Sequence, residues 1–213
     1  MADNGFDAIV IGSGPNGLAA AITIALSGRS VLVLEAAETA GGGMRTKELT
    51  MPGFRHDVCA SVHPLAVASP FFRSLHLEDH GLEWVHPPTP LAHPLDNDPA
   101  VLLERSLDDT SRGLGVDGYS YGRLMEPFVK NWEQLVQDVL SPLHFPAHPL
   151  TSLPFSLKGI LSARTAADRW FDTKRAKALF AGNACHSILP LENVSSAAFG
   201  LMLGVLGHAV GWP

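Results

Sequence analysis

With 213 residues, 46% of them hydrophobic and 17% charged, the chain is long enough for a substantial core and has a globular balance on the apolar side. Its formal net charge of −6 argues against a nucleic-acid or anionic-membrane surface, which leaves a small molecule as the expected partner. The two cysteines, Cys59 and Cys185, lack C-x-x-C spacing and form no disulfide framework, so both read as reduced, packed thiols. Residues 1–5 show neither the basic-then-apolar order of a secretory signal nor an Arg-rich transit pattern, and a cytoplasmic address is expected.

The chain opens on the pattern strand, glycine turn, helix, strand. Asp7-Ala8-Ile9-Val10-Ile11 is a short apolar run that stops at Gly12-Ser13-Gly14-Pro15-Asn16-Gly17. A small-residue helix over residues 18–27 follows, then a second apolar run, Val31-Leu32-Val33-Leu34, which closes on Glu35. Each glycine has a steric reason. Gly12 permits the reversal out of the strand, Gly14 lets backbone approach a pyrophosphate, and Gly17 lets the helix pack closely on the sheet. Amides of the first helical turn, with Ser13, Pro15 and Asn16 shaping the loop, would hold the phosphates without a lysine. Glu35, with Ala36 beside it, stands where an acid accepts hydrogen bonds from a ribose 2′-hydroxyl and repels a 2′-phosphate. These residues together predict a dinucleotide site on a β-α-β unit.

Three consecutive glycines, Gly41-Gly42-Gly43, then precede Met44, Arg45 and Thr46. Such a run builds neither a helix nor a strand interior, so the backbone here either approaches something closely or takes positive φ angles. Arg45 can set its cation near a pyrophosphate, or it is a surface arginine on a turn. The glycine turn, the strand ending in Glu35, the segment from Gly41 to Thr46 and the following Pro52-Gly53-Phe54-Arg55-His56-Asp57 together resemble the N-terminal part of the phytoene desaturase-like and amine oxidase-like FAD-dependent oxidoreductases. The resemblance implies a Rossmann-type FAD-binding β-α-β core, incomplete here, within an α/β fold that also carries an α+β substrate-domain portion. It implies that Gly42, Gly43 and Arg45 lie against the FAD diphosphate and ribityl chain. Arginine commonly follows the glycine doublet directly in that family, whereas Gly43 and Met44 precede it here. In the next segment, Asp57 to Pro64, His63 is the residue expected to run toward the flavin ring.

Further along, residues 81–104 alternate short extended pieces with proline turns and predict a small sheet outside the β-α-β unit, with Leu82-Glu83-Trp84-Val85, Leu91 and Ala100-Val101-Leu102-Leu103-Glu104 as its strands. Four His-Pro steps, at His63, His86, His93 and His148, have no metal-ligand spacing, and no metal is expected. Residues 119–140 carry one apolar stripe, Leu124, Phe128, Trp132, Leu135, Val136 and Val139, on a helix interrupted near Pro127. Residues 157–170 and 173–186 predict two more helices, with Lys174, Arg175 and Lys177 as a solvated face. The last stretch, residues 196–212, lacks acids, lysine and arginine; its glycines and His208 make it a buried helix that others approach closely rather than a membrane span.

These readings divide the chain into residues 1–65, the start of a FAD-binding domain, and 66–213, part of a substrate domain. Members of the family are considerably longer and carry a second flavin-contacting motif near the C-terminus, so the resemblance implies that the remainder of the fold is a missing partner. Because such relatives handle lipophilic substrates, it leaves room for a peripheral, non-spanning membrane contact by the second half. The leading expectation is removal of a hydride from a C–C or C–N bond of a small, lipophilic molecule by bound FAD. Two alternatives stay open: a non-catalytic dinucleotide-binding part, and an NAD-dependent dehydrogenase using the same turn. No carboxylate pair, Ser/His/Asp order or activated cysteine identifies a catalytic acid or base.

Overall fold

The computed structural model describes residues 5–213, so residues 1–4, most of the stretch inspected for a leader, lie outside it. The chain divides into two compact units, residues 1–62 and 63–213.

In the first unit, strand β1 (Ala8–Ile11), helix α1 (Pro15–Leu26) and strand β2 (Val31–Leu34) form the expected β-α-β, with β1 and β2 parallel and in register from Ala8 opposite Val31 to Ile11 opposite Leu34. A reciprocal clasp fixes the open end of this pair. Asp7 accepts from the Ser30 amide at 2.7 Å and hydroxyl at 2.8 Å, while the Ser30 hydroxyl accepts from the Asp7 amide at 3.0 Å. Helix α1 starts earlier than the apolar run indicates, because Pro15 occupies its first position, where a missing N–H costs nothing and φ is already helical. The segment Gly53-Phe54-Arg55-His56-Asp57 supplies the second strand of an antiparallel hairpin, β3 (Thr46–Glu48) with β4 (Arg55–Asp57). Parallel sheets are ordinarily covered on both faces, yet Ile9 and Ile11 of β1 point outward, Ile11 at 86% exposure.

The second unit holds the hydrophobic core. It begins with short helices α2 (Pro64–Ala68) and α3 (Pro70–Ser74), continues into one hairpin, β5 (Leu91–Leu95) with β6 (Asp98–Leu103), and then becomes helical. Asn97 takes the left-handed conformation, φ 59°, in the tight hairpin turn. The expected extended piece over residues 82–85 is not a strand: Trp84 is half-buried and Val85 exposed, with no partner strand among the described residues.

Helices α4 (Leu107–Gly113), α5 (Gly118–Lys130), α6 (Trp132–Val139), α7 (Pro149–Gly159), α8 (Ala163–Trp170) and α9 (Lys174–Ala184) precede the last, α10 (Ser196–Ala209), against which α5 to α9 pack. The stripe of residues 119–140 is two helices, and the break falls at Asn131 rather than Pro127. The Asn131 side-chain amide donates to the Pro127 carbonyl at 2.8 Å, taking the acceptor that its own backbone N–H would use to continue the helix. The expected helix over residues 157–170 is likewise divided. Ser162 caps α8 by accepting from the Thr165 amide at 3.1 Å, and α7 has already ended at Gly159. Thr173 caps α9 and is itself gripped by Asp117, which accepts from the Thr173 amide at 2.7 Å and the Asp172 amide at 2.9 Å.

Two surface expectations change. Arg175 is not simply solvated, since its guanidinium turns back onto the Pro99 carbonyl at 2.5 Å and pairs with Asp98 at 3.3 Å at the start of β6. Cys59 and Cys185 are free thiols but exposed rather than packed, because each lies in a turn just beyond a regular element.

Helix α10 is buried almost throughout, and its glycines are the points of approach. A Cβ on Gly200 would stand 3.0 Å from the Phe180 ring, one on Gly204 3.0 Å from the Met125 methyl, and one on Gly207 2.6 Å from a Leu103 methyl. Among the described residues no helix is long and apolar enough to cross a membrane.

Near its C-terminal end, His208 Nε2 meets the Tyr121 hydroxyl at 2.8 Å, and burial pushes the imidazole down to about 4 while raising the phenol. His208 is therefore neutral in the fold, whereas the unfolded chain protonates it near 6.5. Stability is complete above about 6.5 and declines as the pH falls toward about 4, by up to roughly 3 kcal/mol. Urea midpoints measured across that window should fall with pH, and His208→Gln should flatten the slope.

Candidate dinucleotide site

The glycine turn is set by contacts that leave no room for side chains. Gly12 takes φ +95° and extends the β1–β2 ladder by donating to the Leu34 carbonyl at 2.7 Å. A Cβ on Gly17 would lie 2.1 Å from the Gly12 carbonyl oxygen, so only glycine lets α1 start this close to the strand it leaves.

The glycine triplet packs against the same turn. Gly41, at φ +115°, donates to the Ser13 carbonyl at 3.0 Å, and a Cβ on Gly42 would stand 2.9 Å from the Gly14 Cα. Positive φ at Gly41 and Gly42 leads into a single tight 3₁₀ turn over Gly42–Met44. Behind it, the Ala60 amide donates to the Gly43 carbonyl at 3.1 Å and the Val58 amide to the Arg45 carbonyl at 2.8 Å. Arg45 is half-buried, and its Nε donates to the Gly42 carbonyl at 2.7 Å, which fixes the guanidinium beside the triplet.

Glu35 lies just past β2 and reaches across to the turn. Its carboxylate accepts from the Ser13 amide at 2.8 Å and the Ser13 hydroxyl at 2.5 Å, while its other oxygen accepts from the Ala37 amide at 2.9 Å. The Ser13 hydroxyl, and then these amides, hold the carboxyl down to about 2. A carboxylate offers about four acceptor positions, so a further donor can still be received. Among the described residues no acceptor meets the amides of Gly14, Asn16 or Gly17. Gly12, Ser13, Gly14, Pro15, Asn16, Gly17, Glu35, Ala36, Gly42, Gly43 and Arg45 thus lie in one unit around one backbone cradle.

His63 belongs to the second unit. Its amide donates to the Pro213 carbonyl at 2.8 Å, its own carbonyl accepts from Ala66 and Val67 at the start of α2, and its ring is 6.4 Å from that of Trp84. Two features were missed by sequence reasoning. The serine within the turn ties Glu35 in place, and Gly41 rather than its neighbours makes the first hydrogen bond between triplet and turn; three glycines in a row were its only sign. Among the described residues no three His, Cys, Asp or Glu side chains converge.

Two outcomes follow from this geometry. Gly17→Ala drives a methyl into the Gly12 carbonyl, so ADP binding by calorimetry should fall at least tenfold while the helical far-UV spectrum of the second unit is kept. Because the Glu35 carboxylate is the favoured form, the Ser13–Glu35 tie is complete above about 4.5 and released as the pH falls toward about 2. The Ser13 amide resonance should titrate in that window and not between pH 5 and 8.

Residues 10–76 match the family model of an NAD(P)-binding Rossmann-like domain. One of the subunits of limonene dehydrogenase from Castellaniella defragrans is 35% identical over 81 residues, a span covering 38% of this chain and 14% of that protein. Among solved structures, a triple mutant of putrescine oxidase from a redesign of cofactor binding superposes with a TM-score of 0.54 at 21% identity, over 92% of this chain and 41% of that one. A CLA-producing fatty acid isomerase from P. acnes gives 0.50 at 18% identity, over 97% of this chain and 45% of that one. The chain therefore spans less than half the length of the relatives it matches. Over that span it shares the fold of these solved chains, opening on a β-α-β unit within the segment that matches the Rossmann-like model.

Proposed function

We propose that the chain binds FAD through its first unit and serves an oxidoreductase that takes a hydride from a C–C or C–N bond of a small, lipophilic molecule. The observation that carries this reading is the face-to-face approach of Gly42 and Gly14, where a Cβ would come within 2.9 Å of backbone. A nicotinamide site needs the glycine turn alone, whereas a second glycine segment laid on that turn gives a cradle of backbone on two sides of a diphosphate.

The residues fit such a group. Free amides of Gly14, Asn16 and Gly17 at the start of the 12-residue helix α1 present donors and the positive end of the helix dipole to an anion. Glu35 would receive a ribose hydroxyl on its remaining acceptor position. Its attachment to Ser13 keeps the sugar site and the phosphate site in one register, so neither has to be assembled on binding. Arg45, restrained by the Gly42 carbonyl, would add a cation beside the phosphates. Bound flavin would supply hydride acceptance, with this chain contributing orientation and electrostatics. On this reading residues 1–65 act as the start of the FAD-binding domain, with His63 near its end assigned to the flavin or substrate, and 66–213 act as part of the substrate domain.

Calorimetry with FAD, ADP and NADH tests the proposal. FAD should bind and ADP should compete for the same site. Glu35→Ala should weaken both at least tenfold, since a hydrogen bond to a charged group contributes about 1.5–3 kcal/mol. NADH bound without competition from FAD would overturn the flavin assignment, and a colourless protein that takes up no FAD would remove it altogether.

A further inference from the structure

Glu35, the acid assigned to the ribose, is already largely occupied by the protein itself. It is exposed at the end of β2, but Ser13, which it grips, is enclosed at 3% exposure. Both donors of Ser13 go to one carboxylate oxygen: the amide reaches Oε2 at 2.8 Å and the hydroxyl reaches the same atom at 2.5 Å. The Ala37 amide takes the other oxygen, Oε1, at 2.9 Å. Among the described residues no fourth donor completes a hydrogen bond with this carboxylate, although the Ala36 amide also faces it and helps to keep it ionised.

Each oxygen of an ionised carboxyl has about two acceptor positions. Ser13 fills both on Oε2 and Ala37 fills one on Oε1, so a single position, on Oε1, stays open. The neighbouring 2′- and 3′-hydroxyls of a ribose are two donors, and a carboxylate with a free position on each oxygen receives both. Glu35 has room for only one of them.

Ser13 is not free to withdraw when a nucleotide arrives. Its hydroxyl is enclosed, so on leaving Glu35 it would become a buried donor without an acceptor, which is more costly than exchanging a hydrogen bond in water. Its amide is fixed by the turn, because the Ser13 carbonyl receives the Gly41 amide at 3.0 Å and the preceding Gly12 amide donates to the Leu34 carbonyl at 2.7 Å. A tie between turn and strand needs only that amide, which any residue other than proline at position 13 would supply. What the hydroxyl changes is the capacity of Oε2, from one open position to none.

On the reading that this cradle holds a nucleotide, we propose that Ser13 is a positioning residue that makes Glu35 a reader of one ribose hydroxyl rather than two. The test is calorimetry of the 213-residue chain with ADP, 2′-deoxy-ADP and 3′-deoxy-ADP. In the parent, one deoxy analogue should bind at least tenfold more weakly than ADP and the other within about threefold of it. Ser13→Ala keeps the amide and opens a position on Oε2, so both analogues should then fall at least tenfold below ADP. A loosened turn alone would weaken ADP and both analogues in proportion and leave their ratios where they were. The parent's profile needs no variant, so it decides the matter even where Ser13→Ala disturbs the fold. Equal losses for the two analogues in the parent, no loss for either, or a one-sided profile that persists in Ser13→Ala would each overturn the assignment while leaving the nucleotide site standing. Absence of any ADP binding would instead remove the nucleotide site, and the role of Ser13 with it.

Discussion

Everything proposed for the first unit depends on two stretches of backbone meeting without side chains between them. Gly42 approaches Gly14 so closely that a single methyl group could not be placed there, and Gly17 approaches Gly12 more closely still. These contacts require glycine for two separate reasons. At Gly12, Gly41 and Gly42 the requirement is conformational, because φ is positive; at Gly17, and again at Gly42, it is spatial, because another backbone occupies the place of a Cβ. The outcome is a loop with its amides pointing outward and its carbonyls turned to neighbours, which is the polarity that an anion recognises. Glu35 would be repelled by an anion resting directly on it. Its attachment to Ser13 holds the charge to one side of the α1 amides, so that phosphate and sugar can be recognised by opposite means in the same cradle.

The second unit is built on a different constraint. Helix α10 is apolar on all sides, and such a helix is stable only where other elements enclose it. Glycines at 200, 204 and 207 let Phe180, Met125 and Leu103 come close from different directions, so the helix serves as an axis rather than as one side of a layer. Tyr121 and His208 satisfy each other inside this packing. Their hydrogen bond joins α5 to α10 where two unpaired polar groups would be expensive.

Which parts of this were legible in the sequence follows from the range of the forces involved. The β-α-β unit and its turn were readable because strand, glycines and acid lie within about 30 residues and each residue's role is local. Burial of α10 was readable because a stretch without acids, lysine or arginine that is too interrupted by glycine for a membrane has few other places to go. The break at Asn131 was not readable, since it depends on a side chain outcompeting its own amide for the Pro127 carbonyl, whereas Pro127 was the more conspicuous residue. The outward placement of Leu150, Leu153 and Leu157 on α7 was invisible for a related reason, since only Gln134 and Asp138, brought in from α6, hold Thr151 and Ser152 inward. The exposed cysteines show the weakness of composition as a guide to burial, since the turn that carries a residue decides its exposure.

The first unit also carries an energetic consequence of its small size. A two-stranded parallel sheet offers few backbone hydrogen bonds, and β1 leaves Ile9 and Ile11 outward where parallel sheets usually bury such residues. Among the described residues of this unit only Ser13 and Ala21 are buried, so little apolar enclosure opposes the entropy of ordering several positive-φ glycines. The hydrogen bonds that supplement this sparse core lie at both ends of the strand pair, Asp7 with Ser30 at the open end and Ser13 with Glu35 and Gly41 with Ser13 at the turn. A ligand that binds only the folded cradle adds its own free energy to that of folding. With one end of the unit tied at its binding loop, occupancy of the loop and persistence of the β-α-β are therefore linked.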